Sequence, residues 1–161
     1  MTEENEFLSL EVRSLSVKQP YASLILPPVL KVETRSWATN YRGWVLICVS
    51  LQKYLQWQMI DISGREQLER MDVILDGKQA DLDRMQGLAI GVGRLVDCQP
   101  MRPEDENSCF VRYQPGLYCH IMRDVSPITP FGFPGNTGYR LLDEYWKRKI
   151  VINHSFNPLS I

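Results

Sequence analysis

Several features that would place a chain quickly are missing from this one. The four cysteines, Cys48, Cys98, Cys109 and Cys119, include no C-x-x-C pair, and the two histidines, His120 and His154, stand at no ligand spacing. Neither a metal nor another cofactor is therefore expected. Cys48 and Cys119 lie inside apolar strand-like runs and read as small buried hydrophobes of a reducing compartment, and no cysteine has a histidine and a carboxylate placed as for a nucleophile. The longest apolar runs, such as Leu24 to Leu30, are broken by prolines. They fall far short of the roughly 20 residues that cross a bilayer, so no membrane contact is expected. The opening MTEENEF has neither the basic nor the apolar region of a secretory signal, which makes the cytoplasm the expected location. A net charge of −1 argues against a nonspecific, electrostatically driven nucleic-acid binder.

What is present fits one folded domain. The 161 residues can build one sizeable core, and 44% hydrophobic with 23% charged residues is the balance of a globular chain rather than a disordered or fibrous one. Charge is unevenly spread: Arg13, Lys18, Lys31, Arg35 and Arg42 face a single acid, Glu33, between Val12 and Trp44, whereas Asp61 to Met85 is rich in acids. Residues 1–12 read as an acidic, partly disordered lead-in, 13–150 as the single domain and 151–161 as a C-terminal tail.

Hydrophobic periodicity sets the expected elements. Arg13 to Lys18 alternates as a first strand; Pro20 opens a short helix carrying Tyr21, Leu24 and Ile25, which Pro27 and Pro28 stop. Leu30 to Arg35 alternates again, and WVLICV from Trp44 to Val49 is apolar at every position, as for a strand buried on both faces. Leu51, Leu55, Met59 and Ile62 predict a helix ended by Ser63 and Gly64, and Leu68, Met71 and Leu75 predict a second. In GLAIGVGRLVDC (Gly87 to Cys98), Ala89, Gly91 and Gly93 leave one strand face bare, which marks close approach by a backbone or a ligand, with a bulge near Gly93. Residues Pro100 to Pro115 read as a polar surface excursion, Leu117 to Met122 as a strand, Pro127 to Gly135 as a rigid loop, and Gly138 to Leu142 as a last strand before a short helix from Glu144. Five or six short strands with two helices grouped in one insertion suggest a small α+β barrel.

Glu33 and Arg35 are two apart on one strand and so emerge on the same face, with Trp37 sharing their parity and Thr34 facing away. A carboxylate beside a guanidinium, with an indole near, can accept from an amine edge, donate to a carbonyl or phosphate and offer a stacking plane, a kit suited to one splayed nucleobase. The same pair equally suits a scaffold ion pair. Gln19, at a strand-to-helix junction, either aims its amide at a ligand or caps the turn, and Tyr21 either stacks or packs as core. Tyr41 and Arg42 precede Gly43 in a turn where Arg42 could reach a phosphate, while Lys18 and Lys31 are solvated or contact the ligand.

Taken together, SVKQPYASLI, VETRSW and NYRGWVLI resemble the ASCH domain, where a Gln-Pro-aromatic-Ala-Ser-Leu segment precedes Val-Glu-x-Arg-Ser-Trp and a Tyr- or His-Arg-Gly turn. GLAIGVGRLVDC is similar to the family's later strand, and GLYCHIMRDVSPI and PGNTG follow it more loosely, so that the resemblance runs from Leu15 to Leu142. It implies a PUA-like β-barrel of five to six strands with flanking helices, and a cleft that binds RNA or a nucleotide, in proteins of transcription coactivation and RNA metabolism. Carried over, Gln19, Tyr21, Glu33, Arg35, Trp37, Tyr41 and Arg42 would line or rim that cleft.

Some members are enzymes, among them an acetylcytidine amidohydrolase that uses a Lys, a Thr and a Glu, and ribonuclease activity is claimed for others. Here the family's Gly-x-Lys falls on Pro28, Val29 and Leu30, and a second basic position is Pro134. Three readings result. The first is a module that receives an RNA base or nucleotide. The second is a hydrolase of an acylated nucleoside or RNA, with Glu33 as general base and Lys31 or Lys18 recruited for the missing lysine. The third is a protein-interaction domain whose cleft has decayed.

Overall fold

A computed structural model describes residues 5–26 and 30–160. It is an α+β structure built on one mixed sheet of six strands in the order β2-β5-β4-β3-β1-β6. These are β1 (Val12–Val17), β2 (Val32–Arg35), β3 (Gly43–Val49), β4 (Leu88–Pro100), β5 (Tyr118–Gly132) and β6 (Arg140–Leu141). Strands β1 and β3 run parallel, joined through α1 (Tyr21–Ile25) and β2, and the other neighbours are antiparallel. No pairing joins β2 to β6 among the described residues, so the sheet is open rather than a closed barrel.

WVLICV behaves as its composition requires. Val45, Ile47 and Val49 enter one apolar cluster with Leu15, Leu24 and Ile90, while Leu46 and Cys48 enter another with Phe7, Val92, Ile128 and Leu142. A strand that feeds two cores has no polar face to spare. The first cluster is covered by α1 and α2 (Gln56–Leu75), through Met71 and Leu75. Leu51 and Leu55, expected on that helix, precede it and are exposed, since the helix starts only at Gln56. Gly64 breaks α2, with φ +73 and ψ 165, a region that glycine alone enters cheaply. Ser63 and Gly64 therefore separate two helical runs within α2, as the spacing of apolar residues predicts.

Strand β4 shifts register against β5 at three places, between Ala89 and Gly91, Val92 and Arg94, and Leu95 and Asp97. Such bulges raise the local twist and bend the sheet. The bare face of β4 is filled from within the protein: a Cβ on Gly91 would sit 2.0 Å from Leu26 Cδ2, and one on Gly93 would sit 3.0 Å from Val125. Strand β5 continues through Pro127 and Pro130, where a loop was expected. Strand β2 covers β5 only as far as Ile121, and Pro127 and Pro130 flank the register shift opposite Ala89 and Gly91, an irregularity of the ladder at which a residue without an N–H is tolerated.

The described residues before β1 and after α5 pack against this sheet. Within the acidic lead-in, Glu6–Ser9 forms a 3-10 turn, Phe7 is buried edge-on to Trp44, and the Asn5 amide donates to the carbonyls of Lys147 and Ile150. Residues 151–153 run back along β5, bonding Thr129 N to Val151 O and Asn153 N to Pro127 O. The expected stop of α1 at Pro27 and Pro28, and the comparison of Pro28 and Val29 with a Gly-x-Lys element, lie outside the described residues. The remaining helices are short: α3 (Gln79–Asp83), α4 (Glu106–Cys109) and α5 (Glu144–Lys147).

Candidate functional site

Strand β2 is the edge of the sheet, so side chains from both its faces reach the space alongside it. Glu33 is only 7% exposed, and its Oε1 lies 3.1 Å from Arg35 Nε. Burial pushes the Glu33 carboxyl above the ordinary range, and the neighbouring Arg35 pulls it only part of the way back. The Arg35 guanidinium also donates to the Ser16 carbonyl of β1, a bond that spans the open end of the sheet. Ser16 is itself held from the PGNTG loop, where Asn136 N donates to its hydroxyl. The Thr34 hydroxyl is buried beside Cys109 and has no hydrogen-bond partner among the described residues.

These residues floor a cavity of about 190 Å3. Tyr21 and Tyr54 wall one side, with rings 6.2 Å apart and perpendicular. Ile62, Val111 and Leu117 close the other, and Asp61, Arg112 and Gln114 stand at the rim, where Arg112 and Asp61 form a 3.2 Å ion pair. The kink at Gly64 organises this wall. It accompanies the inward placement of Ser63, which is buried against the Tyr21 hydroxyl, and Tyr21 also donates to Phe110 O. One residue earlier in α2, Ile62 O accepts from Arg112 N and so anchors the facing segment. Burial holds the Tyr21 phenol above its ordinary value, so it stays a neutral donor.

Of the candidate site residues read from the sequence, Tyr21, Glu33 and Arg35 meet at this cavity, whereas Gln19, Trp37, Tyr41, Arg42, Lys18 and Lys31 do not line it. Gln19 is a cap: its Nε2 donates to Ser23 Oγ at 2.7 Å and to Leu82 O, and its Oε1 accepts from Ser23 N at 3.0 Å. It borders a second, larger groove of about 550 Å3 along α2, which Tyr54 separates from the first. Trp37 packs edge-on against His120 and Tyr139, at 5.0 and 5.6 Å. His120 lies opposite Glu33 in the β2–β5 register; its Nε2 donates to Trp37 O and its Nδ1 accepts from the Tyr139 hydroxyl, and burial holds it below its ordinary pKa, hence neutral.

Tyr41 donates to Trp44 O at 2.6 Å beneath the Arg13 guanidinium, with its phenol pushed up to about 12 by burial, and Arg42 bonds the carbonyls of Thr39 and Tyr41. Lys18 rests on the Tyr54 ring at 4.5 Å, behind the cavity wall. Lys31 is exposed and borders a different depression, beside Ile121 and Arg123, and Leu30 is buried in the core. Thr34, read as facing away, reaches the cavity because β2 is an edge strand. Tyr54, Asp61, Arg112 and Gln114 carry no local signal of function; they arrive at the cavity through the path of α2 and of residues 110–117.

Chemically, the cavity offers a buried carboxylate that accepts, a guanidinium already engaged twice, an unpaired hydroxyl and an aromatic wall. Among the described residues no group of three or more His, Cys, Asp and Glu converges to hold a metal ion, and no helix is long and apolar enough to cross a membrane. The fold and cavity define an α+β protein with a small pocket, floored by an acid and base pair and walled by aromatic and aliphatic side chains, at the edge of a mixed sheet. A segment of 86 residues, 52% of this chain, is 33% identical to Activating signal cointegrator 1 of Homo sapiens, of whose length it covers 14%. No family model matches the chain.

Proposed function

We propose that this chain is a binding module of the ASCH type, its open six-stranded sheet a PUA-like one, that receives one nucleobase of a single-stranded RNA in the Glu33 cavity. The observation that carries this reading is the buried Glu33 carboxylate facing a cavity sized for one ring. The volume of about 190 Å3 is of the order of the ~150 Å3 cavity that takes a benzene ring. A ligand bound there must bring N–H or O–H donors to Glu33, since among the described residues only Arg35 partners it. The exocyclic amines and ring N–H groups of bases do so, and Tyr21 and Tyr54 supply the aromatic contact by which single-stranded bases are held. Arg112 at the rim, ion-paired with exposed Asp61, can exchange that partner for a backbone phosphate.

The hydrolase reading draws support from the raised pKa of Glu33, which suits a general base. It lacks a lysine at the cavity: Lys18 lies behind Tyr54 and Lys31 borders another depression. The decayed-cleft reading is disfavoured by a cavity that side chains leave open.

The test is a thermal-shift and titration screen against plain and acetylated nucleosides and short single-stranded RNAs. A ligand at about 100 times its Kd should stabilise the chain by about 2.7 kcal/mol. Tyr54→Ala and Glu33→Gln should fold and lose that response, and acetylcytidine should emerge unhydrolysed. A panel with no hit, or variants that bind as well as wild type, would overturn the proposal; Glu33-dependent turnover would install the hydrolase in its place.

A further inference from the structure

Two thiols meet directly behind the cavity wall. Cys109 closes α4, Cys119 lies in β5 opposite Thr34, and their sulfurs are 3.6 Å apart and buried. Disulfide formation requires about 2.05 Å, so the sulfurs must approach by roughly 1.5 Å, a distance that a rotamer change or a small displacement supplies.

The two partners differ in freedom. Cys119 is clamped between Gln99 of β4 and Thr34 of β2, while Cys109 ends a single helical turn, and Phe110 after it adopts a left-handed φ of +55. Any closing movement therefore falls on the Cys109 side and is passed to Val111 and Arg112, which line the cavity. Thr34, on the other side, touches both the cavity and Cys109. The hydrogen-bond contact with Cys119 also holds the Cys109 thiol below its ordinary pKa, which favours the nucleophilic thiolate. Cys48 is the internal contrast: buried in β3 without a sulfur partner, its thiol is pushed up and inert.

We infer that Cys109 and Cys119 are a redox pair that a hydroperoxide converts to an intramolecular disulfide, moving the 110–113 wall of the cavity. In the first step the Cys109 thiolate attacks a peroxide oxygen, breaking the O–O bond and giving a sulfenic acid and hydroxide. The Cys119 sulfur then attacks the Cys109 sulfur and expels the hydroxyl as water. Two thiols lose two electrons and two protons, hydrogen peroxide becomes two waters, and a dithiol reverses the reaction.

The experiment treats the full chain, folded and reduced, with hydrogen peroxide. Intact mass should fall by two hydrogens, peptide mapping should join the 109 and 119 peptides, and dithiothreitol should restore both thiols. Cys109→Ala and Cys119→Ala should each abolish the bond, and a Cys48→Ala, Cys98→Ala double variant should keep it. Differential alkylation of the wild type gives the same reading should a variant fail to fold. Hydrogen exchange at Arg112 N and Tyr113 N, bonded when reduced to Ile62 O and the Glu106 carboxylate, should differ between the two forms. None of these readouts involves a ligand of the cavity, so they stand apart from the nucleobase proposal. Both thiols still free after peroxide, cross-linking between chains through Cys98 instead, or unchanged exchange over 110–113 in the oxidised form would overturn the inference.

Discussion

Replacing Glu33 with glutamine should change how stability depends on pH more than it changes stability at any single pH. The folded protein raises the Glu33 pKa because burial disfavours the charge more than Arg35 favours it. A carboxyl with a raised folded pKa binds its proton more tightly folded than unfolded. Its contribution is thus fully present below the unfolded value, near 4.3 for glutamate, and is lost as pH rises through the folded value. Between those two pKa values the loss amounts to about 1.4 kcal/mol per pH unit for one proton. Glutamine keeps the shape and cannot ionise, so this slope disappears. Subtracting the Glu33→Gln stability from that of wild type, by urea denaturation at half-unit steps from pH 4 to 8, cancels the other carboxylates. The difference should fall with increasing pH at close to that slope and then level off above the folded pKa. Parallel curves would show that Glu33 titrates as an ordinary glutamate, and an upward slope would show that Arg35 outweighs burial; either refutes the electrostatic account of the cavity floor.

Two further outcomes test the scaffold around the cavity. Gly91→Ala should cost about 1–3 kcal/mol by overpacking, because its Cβ would meet Leu26 Cδ2 at 2.0 Å. In a Leu26→Ala background the same change should cost much less, and equal penalties in both backgrounds by urea midpoints would refute the contact. Gln19→Ala should destabilise by about 2–4 kcal/mol, since it strands the Ser23 N–H, the Ser23 hydroxyl and the Leu82 carbonyl in a buried setting. Any ligand of the Glu33 cavity should still bind it normally by titration, and a selective loss of binding would make Gln19 a ligand contact rather than a cap.

Local patterning made much of the framework readable. The alternation of residues 32–35 places Glu33 and Arg35 on one side of a strand, and the uninterrupted apolar WVLICV announces burial on both faces. The Ser63–Gly64 dipeptide marks the break in α2, because glycine's backbone freedom is visible in a single letter. Other features were hidden for definite reasons. Pro127 and Pro130 read as a loop because proline lacks a donor, yet in β5 they flank a register shift against Ala89 and Gly91, where the ladder is already interrupted. The bare face of β4 reads equally as room for a ligand or for protein, and only the packed structure shows Leu26 and Val125 filling it.

What the sequence by itself determined is the acid and base pair on β2, the buried β3 and the glycine positions, all of which follow from spacings of two to four residues that the backbone geometry fixes. Only the tertiary structure decided which of the polar and aromatic residues share a cavity. Trp37 and Tyr41 turn toward Tyr139 and the sheet's open end, Gln19 turns inward to cap α1, and Tyr54, Asp61, Arg112 and Gln114 reach Glu33 from elements that follow it by some 20 to 80 residues. The physical reason is that a spacing along the chain constrains neighbours within an element, whereas the meeting of two elements depends on how their apolar faces are buried together.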